Sequence, residues 1–136
     1  MKSTPDVPCK SVMVVDDSDI DRYIAKKILA QHDPFCPEVM SYENPLEALS
    51  YLGLNQENIE ALPKFIFLDI YMPEMSGFEF MEAYSHFSGT LKNHCSVYIV
   101  SSTIDPHDLV RAKKDANVVE LHVKPINSQF LSKLAG

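Results

Sequence analysis

The chain has 136 residues, 46% of them hydrophobic, with 12 Lys and Arg against 19 Asp and Glu and a formal net charge of −7. A single domain of this length buries roughly two-thirds of its unfolded surface, enough for a substantial core. The acidic balance argues against sequence-independent nucleic-acid binding and against an anionic membrane surface; no apolar stretch approaches the ~20 residues of a membrane span, and residues 1–10 lack the apolar core of a signal peptide.

Residues 1–10 are polar and contain Pro5 and Pro8, and read as a tail, leaving residues 11–136 as one domain. Ser11–Val15 is a first strand. Ser18 or Asp19 can cap a helix running to about Gln31, with Ile20, Ile24, Ile28, Ala25 and Leu29 on one stripe. Asp33-Pro34 and Pro37 break it, and Val39–Tyr42 is a short second strand. Asn44 then caps a helix with Pro45 at its first position; the helix packs Leu46, Leu49 and Leu52 and ends near Gly53.

After a polar connection, Phe65–Leu68 is a continuous apolar run, the pattern of a central parallel strand covered on both faces. The helix after it starts near Ser76 and buries Phe80, Met81, Tyr84 and Phe87. Ser96–Ser101 is a fourth strand, Asp105-Pro106 opens a helix to about Asp115, and Val118–Val123 is a fifth strand. Asn127 or Ser128 caps a last helix carrying Phe130, Leu131 and Leu134. Strand and helix alternate five times. Right-handed crossovers make this an α/β fold with a doubly wound five-stranded parallel sheet; the expected strand order is the flavodoxin-like 2-1-3-4-5.

The chemistry stands at the strand ends. The first strand runs into Asp16-Asp17, the third into Asp69 and the fifth into Lys124-Pro125. An acid at the exit of a buried strand is costly unless chemistry or a metal uses it. The ends of parallel strands form one crevice, so three carboxylates and one ammonium converge there. Such a cluster needs a counter-charge, and a hard divalent ion such as Mg²⁺, which takes one or two carboxylates and keeps several waters, supplies it. Taken singly, Asp16 and Asp17 also fit as first-turn acids of the following helix.

At these residues the chain resembles the receiver domains of two-component response regulators. Val14-Val15-Asp16-Asp17, Leu68-Asp69 with Met72-Pro73 and Gly77, Ser101 after Val97-Tyr98-Ile99-Val100, and Lys124-Pro125 come in the family's order at about its spacing. The resemblance implies Asp69 as phospho-acceptor, Ser101 as phosphoryl contact and switch, and Lys124 as phosphoryl contact, with a cis Lys124-Pro125 bond. It implies a Mg²⁺ site of Asp17 and Asp69, Asp16 largely through water, and the backbone carbonyl of Tyr71. It further implies a stand-alone cytoplasmic regulator that takes a phosphoryl group from a sensor histidine kinase or phosphotransfer protein. Output would pass to a downstream protein through the face formed by the helix after strand four, strand five and the last helix. Two departures stand out. Leu121 occupies a position where many receivers carry an aromatic switch residue, and Tyr71, two residues past Asp69, is bulkier than the usual polar residue.

Two rival readings are a phosphorylation-independent pseudo-receiver and a hydrolase of the haloacid dehalogenase type. The full set of acids, hydroxyl and lysine argues against the first. The second wants an aspartate where Tyr71 stands. Cys9, Cys36 and Cys95 lack metal-ligand spacing and read as reduced thiols. His32, His86, His94, His107 and His122 are scattered and read as solvated.

Overall fold

A computed structural model describes residues 9–135. Five strands, β1 (Val12–Val15), β2 (Met40–Tyr42), β3 (Phe65–Asp69), β4 (Ser96–Ser101) and β5 (Val118–Val123), pair in parallel in the order β2-β1-β3-β4-β5. The helices are α1 (Asp19–Ala30), α2 (Pro45–Leu54), α3 (Gly77–Tyr84), α4 (Gly89–His94), α5 (Pro106–Lys114) and α6 (Ser128–Ala135). The five-strand order read from the sequence is the one observed. The short α4 is an addition to it, capped by the Ser88 side chain, which accepts from the Leu91 amide.

Alternation along the strands divides the core into two halves. Val12, Val14, Phe65, Phe67, Tyr98 and Val100 pack with Ala25 and Leu29 of α1 and Phe130 and Leu131 of α6. Met13, Val15, Ile66, Leu68, Val97 and Ile99 pack on the other face with Leu52, Phe80, Met81 and Tyr84. All five residues of β3 are buried, including the acid at its end. That is the cost of placing a carboxylate in the middle of a doubly covered sheet.

The local signals place the helix starts. The Ser18 side chain accepts from the Asp21 amide, Asn44 from Leu46, Asp105 from His107 and Asn127 from Phe130. Ser76 and Glu79 form a reciprocal capping box at α3. Gly77 has a separate reason to be glycine. A Cβ there would lie 2.7 Å from the Asp69 carbonyl oxygen, so only a bare Cα fits under the end of β3.

Four expectations need correction. Ile20, Ile24 and Leu46 are exposed rather than packed. The inward row of α1 is Asp21, Ala25 and Leu29, with Ile20 and Ile24 on its solvent flank. The tail read as residues 1–10 ends earlier, because Lys10 bridges in parallel to Phe35; residues 1–8 lie outside the described residues. That bridge brings Cys9 beside Cys36, Cα atoms 4.9 Å apart, and the two form a disulfide, so only Cys95 is a free thiol among the described residues. Their separation of 27 residues concealed the pairing in the sequence. His122 is not solvated: its ring stacks on Phe130 at 4.0 Å between centroids, and its buried Nε2 has no hydrogen-bond partner among the described residues.

No helix among the described residues is long and apolar enough to cross a membrane.

Candidate functional site at the strand ends

The parallel register brings the functional candidates to one edge. β1 delivers Asp16 and Asp17 beside Asp69 because Val15 pairs with Leu68, and β4 delivers Ser101 opposite Val123, next to Lys124. The Lys124 amide donates to the Ser101 carbonyl at 2.7 Å, which fixes the start of the β5–α6 loop against the end of β4. The Lys124-Pro125 bond is cis.

Asp16 is 3% and Asp69 6% exposed, and Ser101 is fully buried. Asp17 lies closer to solvent. Carboxylate oxygens of Asp16, Asp17 and Asp69 fall within 4.8 Å of one another. Asp16 is locked in place: its Oδ1 accepts from the Ser18 amide at 3.0 Å and its carbonyl from the Arg22 guanidinium at 2.8 Å.

The Lys124 ammonium lies 2.7 Å from Asp16 Oδ2, 2.8 Å from Asp21 Oδ2 and 3.1 Å from Asp69 Oδ1. Burial alone would lower its pKa. Hydrogen bonds that the ammonium donates to Asp16 and Asp21, with the charges of Asp16 and Asp69, outweigh burial and raise it. Asp69 moves the opposite way for a carboxylate near a cation. Burial and the Asp16 charge push it up to about 6, with Asp17 adding to them, and Lys124 offsets only part of the rise.

One lysine therefore does not neutralise this cluster. The donor set, close-set carboxylate oxygens of which two belong to buried acids, fits a hard divalent cation. A neighbouring cavity, of about 30 Å³, lies beside Asp16, Asp21 and Lys124 and is otherwise lined by apolar residues such as Val14, Ile24 and Phe67. It admits a water but is far below the roughly 300 Å³ of a metabolite pocket.

Two residues were not singled out from the sequence. Asp21 meets Lys124 from the first turn of α1. Its one sequence signal is an acid standing in the row of Ala25 and Leu29. Asp108 of α5 accepts a hydrogen bond from the Tyr71 hydroxyl, tying the segment after β3 to the helix after β4. The Tyr71 side chain is 57% exposed. Ser101 Oγ accepts a long 3.4 Å contact from the Thr103 amide.

Comparison with known proteins agrees with this geometry. The family described as the response regulator receiver domain matches residues 12–135. A two-component response regulator of rice, ORR1 of Oryza sativa subsp. japonica, is 30% identical over 126 residues, covering 90% of this chain and 52% of that protein. The chain thus spans about half the length of that relative. A two-component response regulator from Cytophaga hutchinsonii superposes with a TM-score of 0.85 at 26% identity, covering 94% of this chain and 95% of that one. The phosphorylated cyanobacterial phytochrome response regulator RcpA gives 0.71 at 28% identity, covering 94% and 90%.

Proposed function

Because the chain belongs to the response regulator receiver family, the phospho-acceptor domains of two-component signalling, we propose that it acts as a receiver phosphorylated on Asp69. The observation that carries this reading is Asp69 itself. It is a nearly buried carboxylate at the end of the central strand, 3.1 Å from an ammonium and grouped with two further acids.

In the proposed reaction an Asp69 carboxylate oxygen attacks phosphorus in line with the bond to a phosphohistidine nitrogen. The O–P bond forms, the P–N bond breaks, and the imidazole keeps the electron pair and takes up a proton from solvent. The product is an acyl phosphate. Asp17 and Asp69 would hold Mg²⁺ directly, Asp16 largely through water, with the Tyr71 carbonyl as a further ligand. When bound, the ion neutralises the acids and offsets charge on the phosphoryl oxygens. Phosphoryl transfer needs positioning and charge compensation more than acid–base machinery, which suits a site without a general base.

Lys124 then serves one phosphoryl oxygen as a point charge and Ser101 another as a hydroxyl donor. These contacts exist only in the phosphorylated state, so they shift the equilibrium of the β4–α5 loop that follows Ser101. The donor would be a sensor histidine kinase or phosphotransfer protein. A downstream protein would read the α5–β5–α6 face, where Val110, Val119 and Val123 are exposed. Leu121, buried where many receivers place an aromatic switch, makes the loop itself the carrier of that signal.

A time course with Mg²⁺ and a radiolabelled small phosphodonor tests this. Stable label on the protein is the expected result. Absence of label would favour a pseudo-receiver, and continuous turnover of the donor would favour a hydrolase.

A further inference from the structure

From the Asp21–Lys124 contact we infer that Asp21 is a positioning residue, the resting partner that lets the Lys124 ammonium release Asp16 and Asp69 to the divalent cation. The inference rests on the receiver reading of the site and deepens it.

Asp21 is out of place by pattern. It heads the row Asp21, Ala25, Leu29, whose other members are buried against the sheet. Among the described residues its only ion pair is with Lys124, at 2.8 Å. It is not one of the three acids whose ligand oxygens lie within 4.8 Å of one another; those are Asp16, Asp17 and Asp69. Its side chain keeps 38% exposure, against 4% and 8% for Asp16 and Asp69. Asp21 therefore belongs to the lysine, not to the acid cluster.

The same ammonium touches Asp16 Oδ2 at 2.7 Å and Asp69 Oδ1 at 3.1 Å. A cation entering the cluster competes with it for these carboxylates. Without Asp21, an ammonium that ceded them would be left without a partner in a largely buried position, so it would hold on and weaken the cation's grip. With Asp21, it retains one charge-assisted hydrogen bond on the α1 side. The lysine remains beside Asp69, positioned for a phosphoryl oxygen.

The test is a double-mutant cycle on Mg²⁺ affinity, measured by isothermal titration calorimetry with MgCl₂ alone. The proteins are wild type, Asp21→Asn, Lys124→Met and the double variant, each first shown to be folded by circular dichroism. Asp21→Asn is expected to weaken Mg²⁺ binding about three- to tenfold with Lys124 present, and less than about twofold in the Lys124→Met background. Asp21→Glu, which keeps the charge, should recover most of the loss. An affinity unchanged or tightened by Asp21→Asn overturns the inference, as does an equal loss in both backgrounds, which would mean that Asp21 acts on the cation by its own field. Failure of the wild type to bind Mg²⁺ at all would overturn the receiver reading together with this inference.

Discussion

Asp69 is held at the end of β3 against its own electrostatics. Burial and the Asp16 charge raise its pKa from 3.8 to about 6 despite the adjacent Lys124. The folded protein therefore binds this proton more tightly than the unfolded chain does. The resulting stabilisation is complete below the unfolded value, near 3.8, and is lost as pH rises through about 6. At pH 8, without divalent cations, the ionised carboxylate is a net liability. Asp69→Asn should then be more stable than wild type by about 1–3 kcal/mol. The gap should narrow at pH 4.5, where wild-type Asp69 is mostly protonated in the folded state. Thermal unfolding in chelator at the two pH values checks this; an equal gap at both would show that Asp69 carries no electrostatic strain. At this scale the sequence was most informative where an acid or a lysine ends an apolar run, as at Asp69 and Lys124. It was silent on Asp21, because whether a first-turn acid faces solvent or a lysine on another strand depends on how the helix is rotated. His122 was hidden likewise, since its stack on Phe130 joins β5 to α6.

The elements around Asp69 are fixed by close backbone packing. Gly77 opens α3, and its amide donates to the Ile70 carbonyl at 2.6 Å, while the Asp69 carbonyl oxygen fills the space of a Cβ. Gly77→Ala must push β3 and α3 apart, at a cost of about 1–3 kcal/mol. Denaturant unfolding measures that loss, and Mg²⁺ affinity should fall with it because the displaced backbone is that of Asp69; a neutral substitution would contradict the packing argument. The Tyr71–Asp108 hydrogen bond links this same segment to α5. Tyr71→Phe removes only the hydroxyl, so amide hydrogen exchange should quicken in the first turn of α5 and stay unchanged in α1. Equal exchange in both proteins would show that the link restrains nothing. The strand–helix alternation was legible because each strand is a short apolar run and each helix start has a polar cap. The six-residue α4 was not, since it is too short to show a period.

Across the whole molecule the sheet separates two ends. Cys9 and Cys36 lie at the end where β1 begins, and Asp69 at the end where the strands finish. The disulfide closes a loop spanning 27 positions and should stabilise the fold by about 2–4 kcal/mol through the unfolded chain. Cys36→Ser should lower the melting temperature while leaving Mg²⁺ affinity intact; a loss of Mg²⁺ binding would show that the two ends are coupled. The pairing was illegible in sequence because it depends on the Lys10–Phe35 bridge, a contact between segments separated by all of α1. The doubly wound parallel sheet, by contrast, followed from the alternation of elements and the handedness of their crossovers, while its strand order rested on likeness to the flavodoxin-like type. The central claim, that this scaffold exists to phosphorylate one carboxylate, is tested most directly by locating the phosphoryl group. Wild type and Asp69→Asn would be incubated with Mg²⁺ and a small phosphodonor, reduced with borohydride to trap the acyl phosphate, and mapped by peptide mass spectrometry. One modification per chain at Asp69, absent from the variant and from samples with chelator, is the expected result. Modification at another residue, or equal modification of Asp69→Asn, would contradict the account.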